Sequence, residues 1–404
     1  MMDPRRAAGS TPALVGALRL TITALSASLA ILLTAMAVVA GRLARRVVTP
    51  AARVADTTVT ALDTAAQTIT LVRSDDTRLP GRYGLFTTGT EPYLKLGTVL
   101  SEGERTVTRK LLTHIPHSGH VGADAAFSGW YYDRPEQLHL PFAAELIGAP
   151  LGPCPAWLFP AAEPSSRWVV QIHGRGTTRA EALRAVPVFR DLGYTSLLVS
   201  YRNDGEAPRT RQGTYTLGAT EWRDIDAAIS FARRRGARRI VLMGWSMGGA
   251  IALQAALNSA HREHIDGIVL DSPAIDWADV LRHQAGLRRL PRPLVGLALG
   301  ALGAPWAGPM RGGGAAIPFE RLDVVRRSAE LRHPMLILHS DDDGFVPSDA
   351  SHALAIARPD LVELEVFTEA RHTKLWNYDP ERWTRAIRRW VTERGLDSDP
   401  AEDS

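Results

Sequence analysis

Residues 238–257 read RRIVLMGWSMGGAIALQAAL. Two arginines lead into an apolar run, Ser246 is boxed by Gly244, Gly248 and Gly249, and an alanine-rich run follows. The first run lacks the polar alternation of a half-solvated strand, so it suits a strand buried on both faces. The second has the composition of a helix. GWSMG fits the pattern G-x-S-x-G, in which a strand turns so sharply into a helix that the serine backbone is strained and its neighbours two residues away must be small. The hydroxyl is then presented at the carboxyl edge of the sheet, beside a helix N-terminus that favours negative charge.

The same strand texture recurs outward from this turn. RWVVQIHG (167–174), YTSLLVSY (194–201), DGIVLDSP (266–273) and HPMLILHS (333–340) are short, nearly continuous apolar runs. Helix-like segments lie between them, among them TEWRDIDAAISFARRRG, with Trp222, Ile225, Ile229 and Ala232 on one side. A last helix is expected over 381–395, where Trp383, Ile387, Trp390 and Val391 share a face. Strand alternating with helix predicts an α/β fold with a mostly parallel, doubly wound sheet. Residues 274–330 break the rhythm with Leu, Pro, Gly and Arg but no strand, as an inserted lid would.

A serine hydroxyl needs a base and an orienting acid to become a nucleophile. His372 follows the last strand-like segment, LVELEVFTEA, and three aspartates follow the run ending at Ser340. Ser, then Asp, then His is the chain order of the α/β-hydrolases, and over roughly residues 150–395 the chain resembles that family, with esterase, lipase-like or serine aminopeptidase-like sequences. The resemblance selects Asp343, which precedes the pair Val346–Pro347, over Asp341 and Asp342, and over the rival Asp271 in VLDSP. It implies hydrolysis through an acyl-enzyme: His372 deprotonates Ser246 and Asp343 orients the imidazole. An oxyanion needs two backbone donors. One is expected from Met247, after the nucleophile. By resemblance the second is Arg175 in the loop HGRGTTR, with Gly174 next in line, while His173 buttresses that loop. His333 and His339 are expected to be structural.

The bulk numbers leave this reading room and narrow its partners. The chain has 404 residues, 45% apolar and 22% charged, with a net charge of only +4. The run RRRGARR lacks interleaved aromatics, so it reads as a solvated helix end and no nucleic-acid partner is expected. Cys154 is the single cysteine, which excludes an intramolecular disulfide. No cluster of His, Glu and Cys at ligand spacing suggests a metal, and the chemistry implied needs no cofactor.

Residues 20–41, LTITALSASLAILLTAMAVVAG, carry no charge. At about 1.5 Å per residue they span the ~30 Å core of a bilayer. Such a run is longer than the apolar part of a cleaved signal peptide, so a retained single-pass transmembrane helix is expected, with a cleaved signal as the alternative. Arginines flank both ends, which leaves orientation open. The expected layout is a tail (1–19), the anchor (20–41), an Ala/Thr-rich stalk or helix (42–79), and the hydrolase domain (80–398), its residues 80–165 forming N-terminal strands. Together these, with residues 80–165 also read as an extension and 274–330 as the lid insertion, predict a membrane-anchored serine hydrolase acting on a small-molecule or lipid acyl ester. A peptidase or thioesterase on the same fold is the alternative, and a non-catalytic tethered interaction protein a more remote one.

Overall fold

The structure is a computed structural model that describes residues 11–50 and 53–398. Two compact units divide the chain: Met1–Val47 with Arg289–Ala316, and Val48–Arg288 with Ile317–Ser404.

In the first unit, one helix runs from Thr11 to Val48, longer at both ends than the uncharged run that predicts it. It is apolar and long enough to cross a membrane from Val15 on. Leu20, Leu25, Leu29 and Ile31 are exposed along it. Residues 1–10 of the expected tail lie outside the described residues. The same unit holds a second apolar helix, Arg292–Gly303, ended by a 3-10 turn over Pro305–Arg311. The buried Arg311 guanidinium donates to the carbonyls of Ala301 (2.6 Å) and Ala304 (2.7 Å), satisfying acceptors that the helix end leaves open. At 12 residues this helix is too short to span a bilayer. The strandless interval 274–330 is therefore not one element. Its first helix, Trp277–Leu287, belongs to the other unit.

The second unit opens with a closed barrel of six strands, order β1-β2-β5-β4-β3-β6. These are β1 (Thr57–Asp63), β2 (Thr68–Val72), β3 (Tyr83–Phe86), β4 (Tyr93–Glu102), β5 (Thr106–Leu111) and β6 (Asp124–Ser128). Residues 57–72 thus overturn the expected stalk or helix. β-branched residues fill eight of the twelve positions of β1 and β2, and such residues fit a pleated surface better than a helix. Ile69 and Leu71 point inward with no exposure, and Asp63 closes the turn by accepting the N–H groups of Ala65 (2.9 Å) and Ala66 (2.8 Å). Nor do residues 83–128 join the hydrolase sheet as its first strands. They complete the barrel, whose core is Leu79, Tyr83, Leu85, Leu94, Leu96 and Phe127. Arg109 lies inside it without exposure and donates to the carbonyls of Thr77, Leu79, Gly81 and Gly97 at 2.8–3.1 Å.

The rest of the unit is an eight-stranded sheet, order β14-β13-β12-β11-β9-β10-β8-β7. Its edge pair β7 (Ala143–Ala149) and β8 (Gly152–Phe159) is antiparallel. The remaining strands, β9 (Arg167–Ile172), β10 (Thr195–Val199), β11 (Arg239–Trp245), β12 (Ile265–Asp271), β13 (Met335–Ser340) and β14 (Val362–Phe367), run parallel. All five apolar runs of the sequence are central strands here, and β10 and β13 are buried at every residue. Helices cover both faces, and Trp383, Ile387, Trp390 and Val391 of the helix Pro380–Glu393 turn into the core as their spacing predicts. Six parallel strands end on one edge, and the residues of the site follow those ends.

Candidate active site

β11 ends at Trp245 and the helix Met247–Asn258 begins one residue later, leaving Ser246 alone to make the turn. It does so at φ 51° and ψ −114°, a conformation that side-chain-bearing residues rarely adopt. The glycines explain how the turn fits. A methyl group on Gly244 would lie 2.4 Å from the carbonyl oxygen of Gly248, and one on Gly248 would lie 2.0 Å from that of Ile172. Both distances are below any tolerable contact.

His372 lies past β14, and its imidazole stands between the serine and an aspartate. Nε2 is 3.0 Å from Ser246 Oγ, and Nδ1 is 2.7 Å from Asp343 Oδ2. Phe345 packs against the ring at 5.1 Å. Asp343 is held from its other side: Oδ1 accepts the N–H groups of Phe345 (2.8 Å) and Val346 (2.9 Å). That turn is why a carboxylate followed by Val-Pro stays in place. Burial pushes the Asp343 carboxyl up, but His372 and His339 beside it outweigh burial and hold it well below the usual carboxylate range.

The neighbouring acids are engaged elsewhere. Asp341 accepts from Ser348 (2.7 Å) and meets His352 (2.9 Å), while Asp342 pairs with Arg371 (3.0 Å). Asp271 does not reach His372. It accepts from Trp383 Nε1 (2.9 Å) and Ser272 Oγ (3.1 Å), and complete burial raises its pKa. Ser272 Oγ in turn accepts the N–H of Thr373 at 3.1 Å, so Asp271 supports the residue after the histidine.

The loop after β9 lies beside the serine, since a methyl group on Gly174 would sit 3.4 Å from Ser246 Cβ. The N–H of Gly174 donates to Glu181 Oε2 at 2.7 Å, which removes Gly174 as a reserve oxyanion donor. Arg175 follows in the same loop, and its guanidinium donates to the Thr49 carbonyl at 3.1 Å. Met247 is the first residue of the helix after Ser246. His173 is fully buried, stacked on Tyr201 and 3.1 Å from Asp204 Oδ2, as a buttress would be. His339 does more than fill space. Its Nε2 is 3.1 Å from the Val346 carbonyl and 3.4 Å from Asp343 Oδ2. His333 meets the Arg262 carbonyl at 2.9 Å, away from these groups.

Sequence reasoning passes over two buried side chains in RAEALRA. Glu181 holds the Gly174 loop and also accepts from Thr177 Oγ1 at 2.9 Å. Arg184 donates through Nη1 to the carbonyls of Gly129 (3.0 Å) and Thr373 (2.7 Å) and to Asn377 Oδ1 (3.0 Å). In a helix-like sequence, alternating charges read as a solvated face. Nothing in the segment itself marks them; it is the fold that leaves this stretch, directly after the HGRG loop, with almost no exposed face.

A cleft of about 360 Å³ opens beside His372. Gly176, Thr177, Glu181, Thr373 and Lys374 line it from the hydrolase sheet's loops, and Arg53, Phe127, Ser128 and Trp130 line it from the barrel side. It is large enough for a small-molecule substrate.

Comparison with known proteins gives the chain a context. Residues 58–128, the barrel strands, match a domain of unknown function (DUF8805). The uncharacterized protein YqkD of Bacillus subtilis is 23% identical over 228 residues, 55% of this chain and 70% of that protein. The esterase Pf2001 of Pyrococcus furiosus superposes with a TM-score of 0.50 at 18% identity, covering 64% of this chain and 95% of its own. Est1E from Butyrivibrio proteoclasticus, solved with ferulic acid, superposes with a TM-score of 0.48 at 17% identity, covering 63% of this chain and all of its own. Residues 169–386 match the alpha/beta hydrolase family. That match takes in more than half of the sequence and every strand from β10 to β14, and the chain belongs to the alpha/beta hydrolase family.

Proposed function

We propose that this chain is a serine hydrolase that cleaves acyl esters through an acyl-enzyme. The observation that carries this reading is the unbroken hydrogen-bonded line Ser246 Oγ, His372, Asp343, which starts on a strained turn and has an open cleft beside His372. In the proposed cycle His372 Nε2 takes the Ser246 proton as Oγ attacks the ester carbonyl. Asp343 keeps Nδ1 protonated and supports the imidazolium. The same proton then goes to the leaving alkoxide. Water, activated by the same imidazole, hydrolyses the acyl-enzyme. The backbone N–H groups of Met247 and Arg175 are the proposed donors to the oxyanion, a role in which a single donor is worth about 10²–10³ in kcat.

The preference for an ester over an amide draws on the esterase Pf2001, which shares the fold, and on the apolar segments of the first unit. We further propose that the Val15–Val48 helix anchors the protein in a membrane by a single pass. A fluorophosphonate probe tests the nucleophile. Wild-type protein should label covalently and Ser246→Ala should not; a folded wild type that resists the probe would overturn the assignment. A panel of p-nitrophenyl esters beside aminoacyl-arylamides tests the bond, and turnover of arylamides alone would replace the esterase by a peptidase.

A further inference from the structure

The cleft beside His372 has two walls of different origin, and its charges do not all cancel. Of the cations that line it, Lys374 lies 3.3 Å from Asp76, and Arg371 lies 3.0 Å from Asp342. Of the acids, Asp76 is matched by Lys374, and Glu181 lies 3.8 Å from Arg184, a cation outside the cleft lining. Arg53 remains. It stands just before the barrel's first strand with its guanidinium carbon 3.4 Å from the centre of the Phe86 ring and 4.4 Å from that of Trp130. Its Nη1 donates to Ser128 Oγ at 3.1 Å. Among the described residues no carboxylate lies within ion-pair distance of it.

An arginine so placed is fixed in direction by two rings, and one hydroxyl uses only one of its five N–H donors. Burial lowers its pKa to about 10, against the longer-range pull of the Glu181 and Asp56 carboxylates, so it stays charged at neutral pH. A planar guanidinium with free donors, facing a cleft, is the group that matches an oxyanion in two-point contact. A cationic substrate would meet repulsion at the same place.

We infer that the barrel wall selects the substrate: the ester cleaved at Ser246 carries an anionic oxygen group, a carboxylate or a phosphate, that is bound by Arg53. This rests on the hydrolase reading above and adds to it the chemistry of a second group on the substrate, bound in the cleft beside His372. It also gives the barrel a task, since Arg53, Phe86, Ser128 and Trp130 all belong to or flank its strands.

The test uses the full-length chain in detergent, with substrates paired by charge. One arm compares the p-nitrophenyl monoester of glutaric acid with p-nitrophenyl pentanoate. The other compares a lysophosphatidic acid with the monoacylglycerol of the same chain, which separates a carboxylate from a phosphate source. In at least one arm the wild type should favour the anion by about tenfold or more in kcat/KM, the worth of one charge-assisted contact. That ratio should collapse towards unity in Arg53→Gln, stay intermediate in Arg53→Lys, and fall with added salt. Fluorophosphonate labelling of each variant reports whether the site is still assembled. Labelling with no anion preference in either arm, or a preference that survives Arg53→Gln, overturns the inference and leaves the hydrolase standing. Absence of both labelling and turnover overturns the hydrolase reading and this inference with it.

Discussion

Two aspartates follow strand ends near His372, and their surroundings give them opposite tasks. Asp343 is kept ionised by two imidazoles and two backbone N–H groups. Asp271 sits in full burial, which favours its neutral form. Asp343→Asn should therefore lower kcat by about 10⁴ with little loss of fold, because the amide no longer holds the imidazole in the required tautomer. Asp271→Asn should keep most of the turnover. Its effect belongs to stability and carries a sign. A raised folded-state pKa means that wild type is relatively strongest below the unfolded value of 3.8 and loses stability as pH climbs through the raised value. Urea unfolding of Asp271→Asn against wild type should thus improve for the variant as pH rises; a pH-independent difference would remove Asp271 from this account. Cys154 gives a simpler check at the same scale. Burial pushes its thiol up to about 12. It should resist a disulfide reagent such as DTNB at pH 8 in the folded protein and react fully in denaturant, since the thiolate is the reacting form.

Among the elements, the five central strands are legible in the sequence because a strand covered on both faces must be apolar throughout, and few other structures need that pattern. The barrel is not legible in the same way. Its strands are half-exposed, rich in Thr, and interrupted, so β1 and β2 read as an Ala/Thr-rich stalk. Ser246 and His372 stand out because chain order and a glycine-bound turn mark them. Asp343 needed the resemblance to choose it among three neighbours. Glu181 and Arg184 were hidden because burial of a charged residue is decided by what the rest of the chain places on top of it, which a local pattern does not carry. Arg109 was hidden for the same reason, and it supports a prediction about the barrel. Arg109→Leu would leave the carbonyls of Thr77, Leu79, Gly81 and Gly97 without their donor. It should cost several kcal/mol, at about 1–3 kcal/mol for each buried acceptor left unsatisfied, measurable as a lower urea midpoint with the Ser246 turn intact.

For the whole molecule, the N-terminal helix is expected to behave as an anchor. The expressed full-length protein should stay with membranes through carbonate extraction and appear at its full mass; release at a mass shortened by the segment up to about residue 41 would identify a cleaved signal instead. Barrel and hydrolase sheet should answer to each other. Arg184 ties Gly129, at the barrel's exit, to Thr373, beside His372. Arg184→Met should lower kcat for every ester tested and weaken the anion preference as well, because it loosens the His372 loop and also Gly129, which lies between the Ser128 and Trp130 that hold Arg53. A loss confined to anionic substrates would contradict that assignment.

Asn377 deepens this tie: its side-chain amide donates to the Arg82 carbonyl at 2.7 Å, and its own carbonyl accepts the Arg82 N–H at 3.1 Å. Two backbone groups of the barrel are thus completed by a residue five positions after the catalytic base proposed here. In the currency of inheritance, neither part can be exchanged alone by recombination without leaving these groups open. Barrel and hydrolase should descend together, and a hydrolase that has shed its barrel should also have replaced the residues corresponding to Arg184 and Asn377.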